Sequence, residues 1–162
     1  MLSIFICYGG DNGEKIGVDL RDFLRKENLE PFIASPHSPD IPAGVDYYVA
    51  IKEALMNSHI MVPICDANIH SSSYAINEIK YAIDQGIPII PFKERNQQLP
   101  LILQNVWAPV EYDPECPKAQ FQKLELEIFR LVLFRLRSTS IENLMGYKRR
   151  ESGIPISLLR RK

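Results

Sequence analysis

The chain has 162 residues, of which 46% are hydrophobic and 24% are charged, and its formal net charge is −1. This length suits one domain with a sizeable core, and the composition is typical of a globular protein rather than of a disordered chain or a coiled coil. The near-zero charge gives no overall attraction to nucleic acids or acidic membranes, so neither is expected as a partner. Three cysteines without a CxxC pair argue against a disulfide framework and favour a reducing compartment.

No segment approaches the roughly 20 consecutive apolar residues that cross a bilayer. The most apolar stretch, residues 124–136, contains four charged residues. The amino-terminal MLSIFICYGG has no basic residue before its apolar run and no small-residue cleavage pattern, so it predicts a strand rather than a signal peptide. We therefore expect a cytoplasmic protein.

Five short apolar runs, rich in β-branched residues, predict strands that are covered on both faces. In chain order they are residues 2–7, 31–34, 60–65, 87–92 and 110–112. Apolar residues at helical spacing predict four helices at 14–27, 45–57, 73–85 and 118–137. Strands that alternate with helices indicate an α/β fold, a flavodoxin-like five-stranded parallel sheet of order 2-1-3-4-5 with helices on both faces.

The apolar stripe of each of the first three helices is expected to face the sheet, and Ser73 is expected to cap the third helix. These stripes are Ile16, Leu20, Phe23 and Leu24; Val45, Val49, Ala54 and Leu55; and Ala75, Ile79, Ala82 and Ile83.

Charge is distributed unevenly along the chain. Residues 138–162 carry a net charge of +4, which leaves −5 for residues 1–137. We therefore expect one domain over 1–137, with a boundary near residues 138–140, followed by a basic, mobile carboxyl-terminal tail. The tail lacks the interleaved aromatic residues typical of nucleic-acid binding segments.

The predicted fold places a ligand site beyond the carboxyl ends of the strands, where the strand order reverses. Several familiar sites do not fit the loops at that edge. Gly9, Gly10 and Gly13 lack the GxGxxG spacing, and a phospho-receiver site lacks the acidic pair after the first strand and the lysine after the fifth. Cys65 has no nucleophile context, and the three histidines have no ligand spacing, so no metal site is expected.

The segment from Ser71 to Glu78 is the most informative one at this edge. Tyr74 and Glu78 are four residues apart on the predicted third helix, so they share a face near its amino terminus. The helix dipole there favours a carboxylate. An ordinary surface glutamate is the alternative interpretation.

Residues 1–137 resemble a Toll/interleukin-1 receptor (TIR) domain. The resemblance rests on IFICYGGDNG, EPFIASPHSPDIPAG, YVAIKEALMNSHIMVPIC, SSSYAINEIKYA and IPIIPFK, which follow one another in the family's order. The second segment is similar to the strand and BB loop of that family, and the loop here runs from Ser35 to Gly44. The fourth is similar to the family's S-x-W-x-x-x-E segment, with Tyr74 in the tryptophan position. Within that family, the chain resembles the standalone prokaryotic TIR NADases.

The resemblance implies a function for particular residues. Glu78 falls on the family's catalytic glutamate, and NAD is the implied substrate, with no separate cofactor. Tyr8, Gly9, Gly10, Phe32, Ser73 and Tyr74 are the expected substrate-binding residues. The chain departs from the family pattern at Gly9 and Gly10, where an arginine is frequent, and at Ala34, which is often acidic.

Three functions remain open at this point. The first is an enzyme that cleaves NAD to nicotinamide and ADP-ribose or a cyclic product, in immune or antiviral defence, with a sensor or effector on a separate chain. The second is a non-enzymatic module that assembles with other TIR domains through the BB loop, and the surplus apolar residues Leu126, Phe129 and Leu133 favour self-association. The third, ranked lowest, is a nucleoside deoxyribosyltransferase-like enzyme.

Overall fold

The computed structural model describes residues 1–35, 40–106 and 108–144, with side chains through residue 138. Its sheet has five strands in the order β2-β1-β3-β4-β5, and every neighbouring pair is parallel. This arrangement confirms the predicted flavodoxin-like topology. The strands are β1 (Ser3–Cys7), β2 (Glu30–Ile33), β3 (Ile60–Cys65), β4 (Phe92–Glu94) and β5 (Val110–Tyr112).

Four α-helices cover the two faces of the sheet, and alternate residues of each strand point to opposite faces. They are α1 (Asp11–Lys26), α2 (Tyr47–Met56), α3 (Ser73–Asp84) and α4 (Phe121–Leu144). On one face, Ile4 and Ile6 of β1 pack with α1 and α4. On the other, Phe5 and Cys7 pack with α2 and α3. Burial on both faces explains why β1 is a continuous apolar run rather than an alternating one.

The predicted fourth strand, residues 87–92, is wrong in its bounds. Regular pairing begins only at Phe92 and continues to Glu94, while Ile89 forms a single isolated bridge with Met61. Pro88 and Pro91 lack the N–H group that a strand donates to its neighbour, which limits the ladder before residue 92. The chain nevertheless follows β3 there, because the Ile90 N–H donates to the carbonyl oxygen of Met61 at 2.9 Å.

The helix boundaries differ from the predicted ones at several ends. α1 begins three residues earlier than predicted, and Gly13 lies in its first turn, where it packs beside Tyr8 and Asp66. α3 is capped by Ser72 rather than by Ser73: the Ser72 hydroxyl accepts a hydrogen bond from the Ala75 N–H at 3.2 Å. The predicted cap is therefore wrong by one position.

The predicted inward stripe of α2 is partly wrong. Val45 and Val49 are 47% and 50% exposed, and Leu55 is the one fully buried residue of this helix. Asp46 starts α2 by accepting hydrogen bonds from the N–H groups of Tyr48 and Val49. The helix packs on the core through Leu55 and the partly buried Ile51 and Ala54, and its first turn extends past the core.

α4 runs through the boundary predicted near residue 138 and continues to Leu144. It follows a short 3-10 turn over Pro117–Gln120. Its buried side includes Phe121, Leu124 and Ile128. Residues 145–162 of the predicted tail lie outside the described residues, so the division into a domain and a mobile tail stays a prediction.

Candidate active site

A pocket of about 490 Å³ opens at the carboxyl end of β1, next to the end of β2 and the amino-terminal turns of α1, α2 and α3. The strand order reverses between β1 and β3, so the pocket lies at the topological switch point where open α/β sheets bind ligands. Its lining residues are Ile6, Tyr8, Gly9, Gly10, Asp11, Glu14, Ala34, Tyr47, Tyr48, Ile51, Ser72, Tyr74 and Glu78.

Glu78 contributes a carboxylate to this pocket from the second turn of α3. Its side chain is partly buried, and loss of hydration raises the pKa of the carboxyl from 4.5 to about 7. A hydrogen bond with the thiol of Cys7 acts in the opposite direction, because it favours the ionised form. Cys7 is buried at the end of β1 and also contacts the Ala75 carbonyl, with its Sγ 3.7 Å from the oxygen. Glu78 therefore changes its charge near neutral pH.

The turn of Gly9 and Gly10 after β1 passes very close to the loop after β3. A Cβ atom built on Gly9 would lie 2.5 Å from the Cα of Ile69, and one on Gly10 would lie 3.0 Å from the Cβ of Asn68. The first of these distances is too short for any side chain. Glycine at position 9 thus lets the two loops pack together below the pocket.

Two tyrosines hold the chain at the end of β2. The hydroxyl groups of Tyr8 and Tyr47 both donate to the carbonyl oxygen of Ala34, at 2.8 and 3.2 Å. Burial raises the pKa of both phenols, and the Glu14 carboxyl raises the pKa of each further. Both hydroxyls therefore keep their protons at neutral pH. The Ser35 hydroxyl next to this carbonyl donates to the Glu14 carboxylate.

A pair of exposed aromatic rings stands at the mouth of the pocket. The rings of Tyr48 and Tyr74 are stacked with their centroids 6.4 Å apart and their planes inclined by 24°. Their hydroxyl oxygens are 3.3 Å apart, within hydrogen-bond distance. Tyr48 comes from α2 and Tyr74 from α3, so the pair bridges the two helices across the opening.

The chemical character of the pocket is acidic and aromatic. Asp11, Glu14 and Glu78 line it together with four tyrosines. Among the described lining residues there is no lysine, arginine or histidine. Such a lining suits a flat ligand group that carries positive charge.

The structure brings together five of the seven residues singled out from the sequence, namely Tyr8, Gly9, Gly10, Tyr74 and Glu78. Phe32 does not line this pocket. Its ring stacks on that of Phe5 in the neighbouring strand β1, with the centroids 5.6 Å apart, and it borders a separate groove of about 340 Å³. Phe32 lies one residue before the carboxyl end of β2, whereas the pocket is lined by Ala34, which follows that strand.

Ser73 is also absent from the pocket lining. It is exposed, and its neighbour Ser72 both caps α3 and lines the pocket. The serine at this edge of the pocket is therefore Ser72, one residue before the predicted position.

Sequence reasoning missed Asp11, Glu14, Tyr47 and Tyr48. Asp11 and Glu14 lie in the first turn of α1, which starts earlier than predicted. Tyr47 and Tyr48 open α2 directly after its cap. The two adjacent tyrosines after the capping aspartate could have indicated these residues. The start of a helix at the ligand edge of the sheet offers few core positions, so large aromatic side chains there are expected to border the ligand site.

The loop predicted from Ser35 to Gly44 is described only at its two ends, because residues 36–39 lie outside the described part of the chain. At its far end, the Asp40 carboxylate pairs with Arg25 at 2.5 Å and lies 3.8 Å from a guanidinium nitrogen of Arg21. These contacts tie the loop to α1. Within the described residues, no group of histidine, cysteine and carboxylate side chains could hold a metal ion. In the same part of the chain, no helix has the length and apolar character needed to cross a bilayer.

Fold and pocket together define an open, parallel α/β domain with a ligand site at its switch point. The family model for the TIR domain matches residues 4–124, and this chain belongs to that family. The resemblance suggested by the sequence segments is thereby confirmed. No curated protein is significantly similar to the chain.

Solved structures similar to this one include the TIR domain of the Toll-related receptor TRR-2 from Hydra magnipapillata. It is 19% identical, with a TM-score of 0.60, and the match covers 78% of this chain and 97% of that one. At this identity the likeness shows the fold alone. The TIR domains of the activated Roq1 resistosome, which directly recognises the pathogen effector XopQ, are 14% identical, with a TM-score of 0.49 and coverage of 87% of this chain and 78% of that one.

Proposed function

We propose that this TIR domain cleaves the bond between nicotinamide and ribose in NAD, giving nicotinamide and either ADP-ribose or a cyclic nucleotide. We further propose that it does so in defence signalling, in the cytoplasm and in a self-associated state, with a sensor or effector on another chain. One observation carries the proposal: the partly buried Glu78 carboxylate lies in an acidic, aromatic pocket at the switch point of the sheet.

The chemistry of the bond suits such a carboxylate. Nicotinamide is bound to ribose through a positively charged pyridinium nitrogen, and it departs with the bonding electron pair as a neutral base. The positive charge then develops on the ribose as an oxocarbenium-like state, as it does in glycoside hydrolysis. A fixed carboxylate near the ribose lowers the energy of that state, most effectively where water is excluded. No general acid is required, because the leaving group is neutral.

Glu78 has a second use in this proposal. Its ionised oxygens accept hydrogen bonds from the ribose hydroxyl groups and so orient the sugar. The pKa of about 7 means that the carboxylate form is well populated only at neutral pH and above. Burial thus strengthens the electrostatic effect of the charge but narrows the pH range in which the charge exists.

The acceptor of the ribosyl group determines the product. Water gives ADP-ribose, whereas a nitrogen of the adenine ring of the same molecule gives a cyclic product. The described residues favour neither, so product analysis is part of the test.

The test incubates the purified full chain with NAD over a range of protein concentrations and follows nicotinamide release by chromatography. Glu78→Gln keeps the shape of the side chain and removes its charge, and Glu53→Gln is the matched control on the exposed surface of α2. We expect release by the wild type and by the control, and a loss of at least a hundredfold in Glu78→Gln. Equal release by Glu78→Gln would remove Glu78 from the mechanism. Transfer of a deoxyribosyl group between bases would identify the deoxyribosyltransferase alternative.

A second candidate function, a non-enzymatic assembly module, is favoured by a different observation. α4 exposes the side chains of Leu126, Phe129, Leu133 and Leu136, each 41–60% accessible. Their spacing of three, four and three residues places them along one stripe of the helix. An exposed apolar stripe of this kind is typical of a contact with another protein surface.

The assembly candidate has its own test. Sedimentation velocity of the wild type is expected to show self-association that increases with concentration, and Leu133→Glu is expected to abolish it. Lys52→Glu, an exposed change on α2, is the control. Self-association without NAD cleavage at any concentration would favour the module over the enzyme, and a monomeric wild type would exclude the apolar stripe as a self-association surface.

A further inference from the structure

A buried thiol contacts the carboxylate of the pocket, and the proposed reaction gives that thiol no role. Cys7 is the last residue of β1, and its side chain is completely buried. Its Sγ lies 3.7 Å from the carbonyl oxygen of Ala75, in the first turn of α3, and it also forms the hydrogen bond with the Glu78 carboxyl. Ala75 and Glu78 are three residues apart, so they lie on the same side of the helix. The end of β1 thus contacts, through one sulfur atom, two points on the part of α3 that carries Glu78.

We propose that Cys7 is a positioning residue, whose thiol donates to the Glu78 carboxylate and keeps that carboxylate ionised and directed into the pocket. Cys7 is not among the residues that line the pocket, so it acts on a substrate only through Glu78. The inference rests on the proposed function for the task of the carboxylate, and it adds the residue of the sheet that prepares the carboxylate for this task.

The surroundings of Cys7 make it a hydrogen-bond donor rather than a nucleophile. Burial raises the pKa of the thiol well above its usual range, and the nearby charge of Glu78 raises it further. The thiol therefore keeps its proton over the whole pH range in which Glu78 titrates. Because a charged acceptor attracts a donor more strongly than a neutral carbonyl does, the S–H group is expected to turn from Ala75 to Glu78 when Glu78 ionises.

The tyrosine hydroxyls of the pocket are committed to other partners. Those of Tyr8 and Tyr47 both donate to the carbonyl oxygen of Ala34, and those of the other two tyrosines, on α2 and α3, contact each other. The phenols therefore do not take the place of the thiol as a donor to Glu78. This arrangement gives the single proton of Cys7 a task that the four tyrosines leave unfilled.

The charged groups around Glu78 also leave this task to the thiol. α1 contributes the carboxyls of Asp11 and Glu14 to the same pocket, and the described lining residues include no lysine, arginine or histidine that could stabilise a negative charge. Loss of hydration favours the neutral form of Glu78, whereas the contact with Cys7 favours the ionised form. Removal of the thiol proton is therefore expected to make ionisation of Glu78 harder.

The titration of Glu78 itself tests the proposal without any turnover. The full-length protein is isotopically labelled at the carboxyl carbon of glutamate and titrated with pH by NMR, and the Glu78 signal is identified by its absence from Glu78→Gln. Cys7→Ala and Cys7→Ser give side chains of nearly equal size, of which only serine retains a donor. We expect the midpoint of the Glu78 titration to rise by about one pH unit in Cys7→Ala and to stay within about half a unit of the wild type in Cys7→Ser. An unchanged midpoint in Cys7→Ala would overturn the proposal.

Cys65 provides a matched control for these variants. It is the last residue of β3, it is buried in the same hydrophobic cluster as Cys7, and its thiol contacts the carbonyl oxygen of Pro63 at 3.6 Å. Cys65→Ala is expected to leave the midpoint of Glu78 within about half a pH unit of the wild type. An equal rise in Cys65→Ala would overturn the proposal, since it would mean that loss of core packing alone moves the titration. Circular dichroism checks the fold, and Cys7→Val, which fills the space without a donor, replaces Cys7→Ala if that variant does not fold.

Kinetics with NAD provide the second readout. The kcat/KM of Cys7→Ala is expected to fall about eightfold at pH 6.5 and less than about twofold at pH 8.5, because the shifted titration matters only where Glu78 is mostly protonated. Cys7→Ser is expected to restore the wild-type profile. A purely structural effect of the lost thiol would lower kcat/KM by the same factor at both pH values, and that result would overturn the proposal.

The two proposals fail in distinguishable ways. A Glu78 titration that depends on Cys7, without cleavage of NAD under any condition, would leave the hydrogen bond in place and refute the proposed reaction. Cleavage of NAD that depends on Glu78, with a titration and a pH profile unaffected by Cys7→Ala, would support the reaction and refute the positioning role of Cys7.

Discussion

Replacing Glu78 with glutamine is expected to stabilise the protein at alkaline pH. The carboxyl has a pKa of about 7 in the folded chain, against 4.5 when it is fully hydrated. Between pH 4.5 and pH 7, residue 78 is ionised in the unfolded chain, whereas it still holds its proton in the folded chain. Stability conferred by the neutral carboxyl is therefore present below pH 4.5 and is lost as the pH rises through 7.

The size of the effect follows from the shift of the pKa. A shift of about 2.5 units corresponds to about 3 kcal/mol of unfolding free energy, fully lost above about pH 8. Glutamine is uncharged at every pH and can still accept the hydrogen bond from the Cys7 thiol. Glu78→Gln is thus expected to be more stable than the wild type by up to about 3 kcal/mol at pH 8.5, but by only about 1 kcal/mol at pH 5.

The assay is urea-induced unfolding followed by far-UV circular dichroism, at both pH values and at low protein concentration. Glu53→Gln is the control, because Glu53 is exposed on α2 and its replacement is expected to change stability by less than about 0.5 kcal/mol at either pH. A difference between Glu78→Gln and the wild type that is equal at pH 5 and pH 8.5 would refute the reasoning, since it would mean that Glu78 is hydrated in the folded protein.

Two further predictions concern positions outside the pocket. Tyr112 is completely buried, and its hydroxyl makes no hydrogen bond within the described part of the chain. Tyr112→Phe is therefore expected to leave the unfolding free energy unchanged or to raise it by about 1 kcal/mol, and a loss of more than 1 kcal/mol in urea unfolding would contradict this. The Asp40 carboxylate, 9% exposed, pairs with Arg25 and lies near the buried Arg21. Asp40→Asn is expected to lower the free energy of unfolding by about 2 kcal/mol and to speed amide hydrogen exchange at residues 40–46. Asp22→Asn, which changes an exposed carboxylate, is expected to alter both quantities little. Equal exchange rates in the two variants would refute the anchoring role of Asp40.

The strand order could be predicted because it depends on patterns that persist along the chain. Runs such as residues 2–7 and 60–65 are apolar on both faces of the strand. Both faces are buried only when helices cover the sheet on both sides. The error at the fourth strand has a local cause, since Pro88 and Pro91 interrupt the ladder although the run is apolar.

The candidate site was predictable to the extent that it depends on position along a strand or helix. Gly9 and Gly10 follow β1, and Glu78 falls one turn after Tyr74, so the topology alone brings them to the same edge. Tyr48 could not be predicted in this way. Its place depends on how α2 is rotated against the sheet, and the apolar spacing of Val45 and Val49 pointed to the wrong face.

The pH dependence of NAD cleavage is the most direct test of the claim that the Glu78 carboxylate carries the reaction. With kcat/KM measured from pH 5.5 to 8.5, the account predicts a rate that rises about tenfold per pH unit below pH 7 and levels off above it, as Glu78 ionises. The rise is expected to be absent from the residual activity of Glu78→Gln. A wild-type profile that is flat over this range or falls with pH, or the absence of cleavage at every pH, would contradict the account.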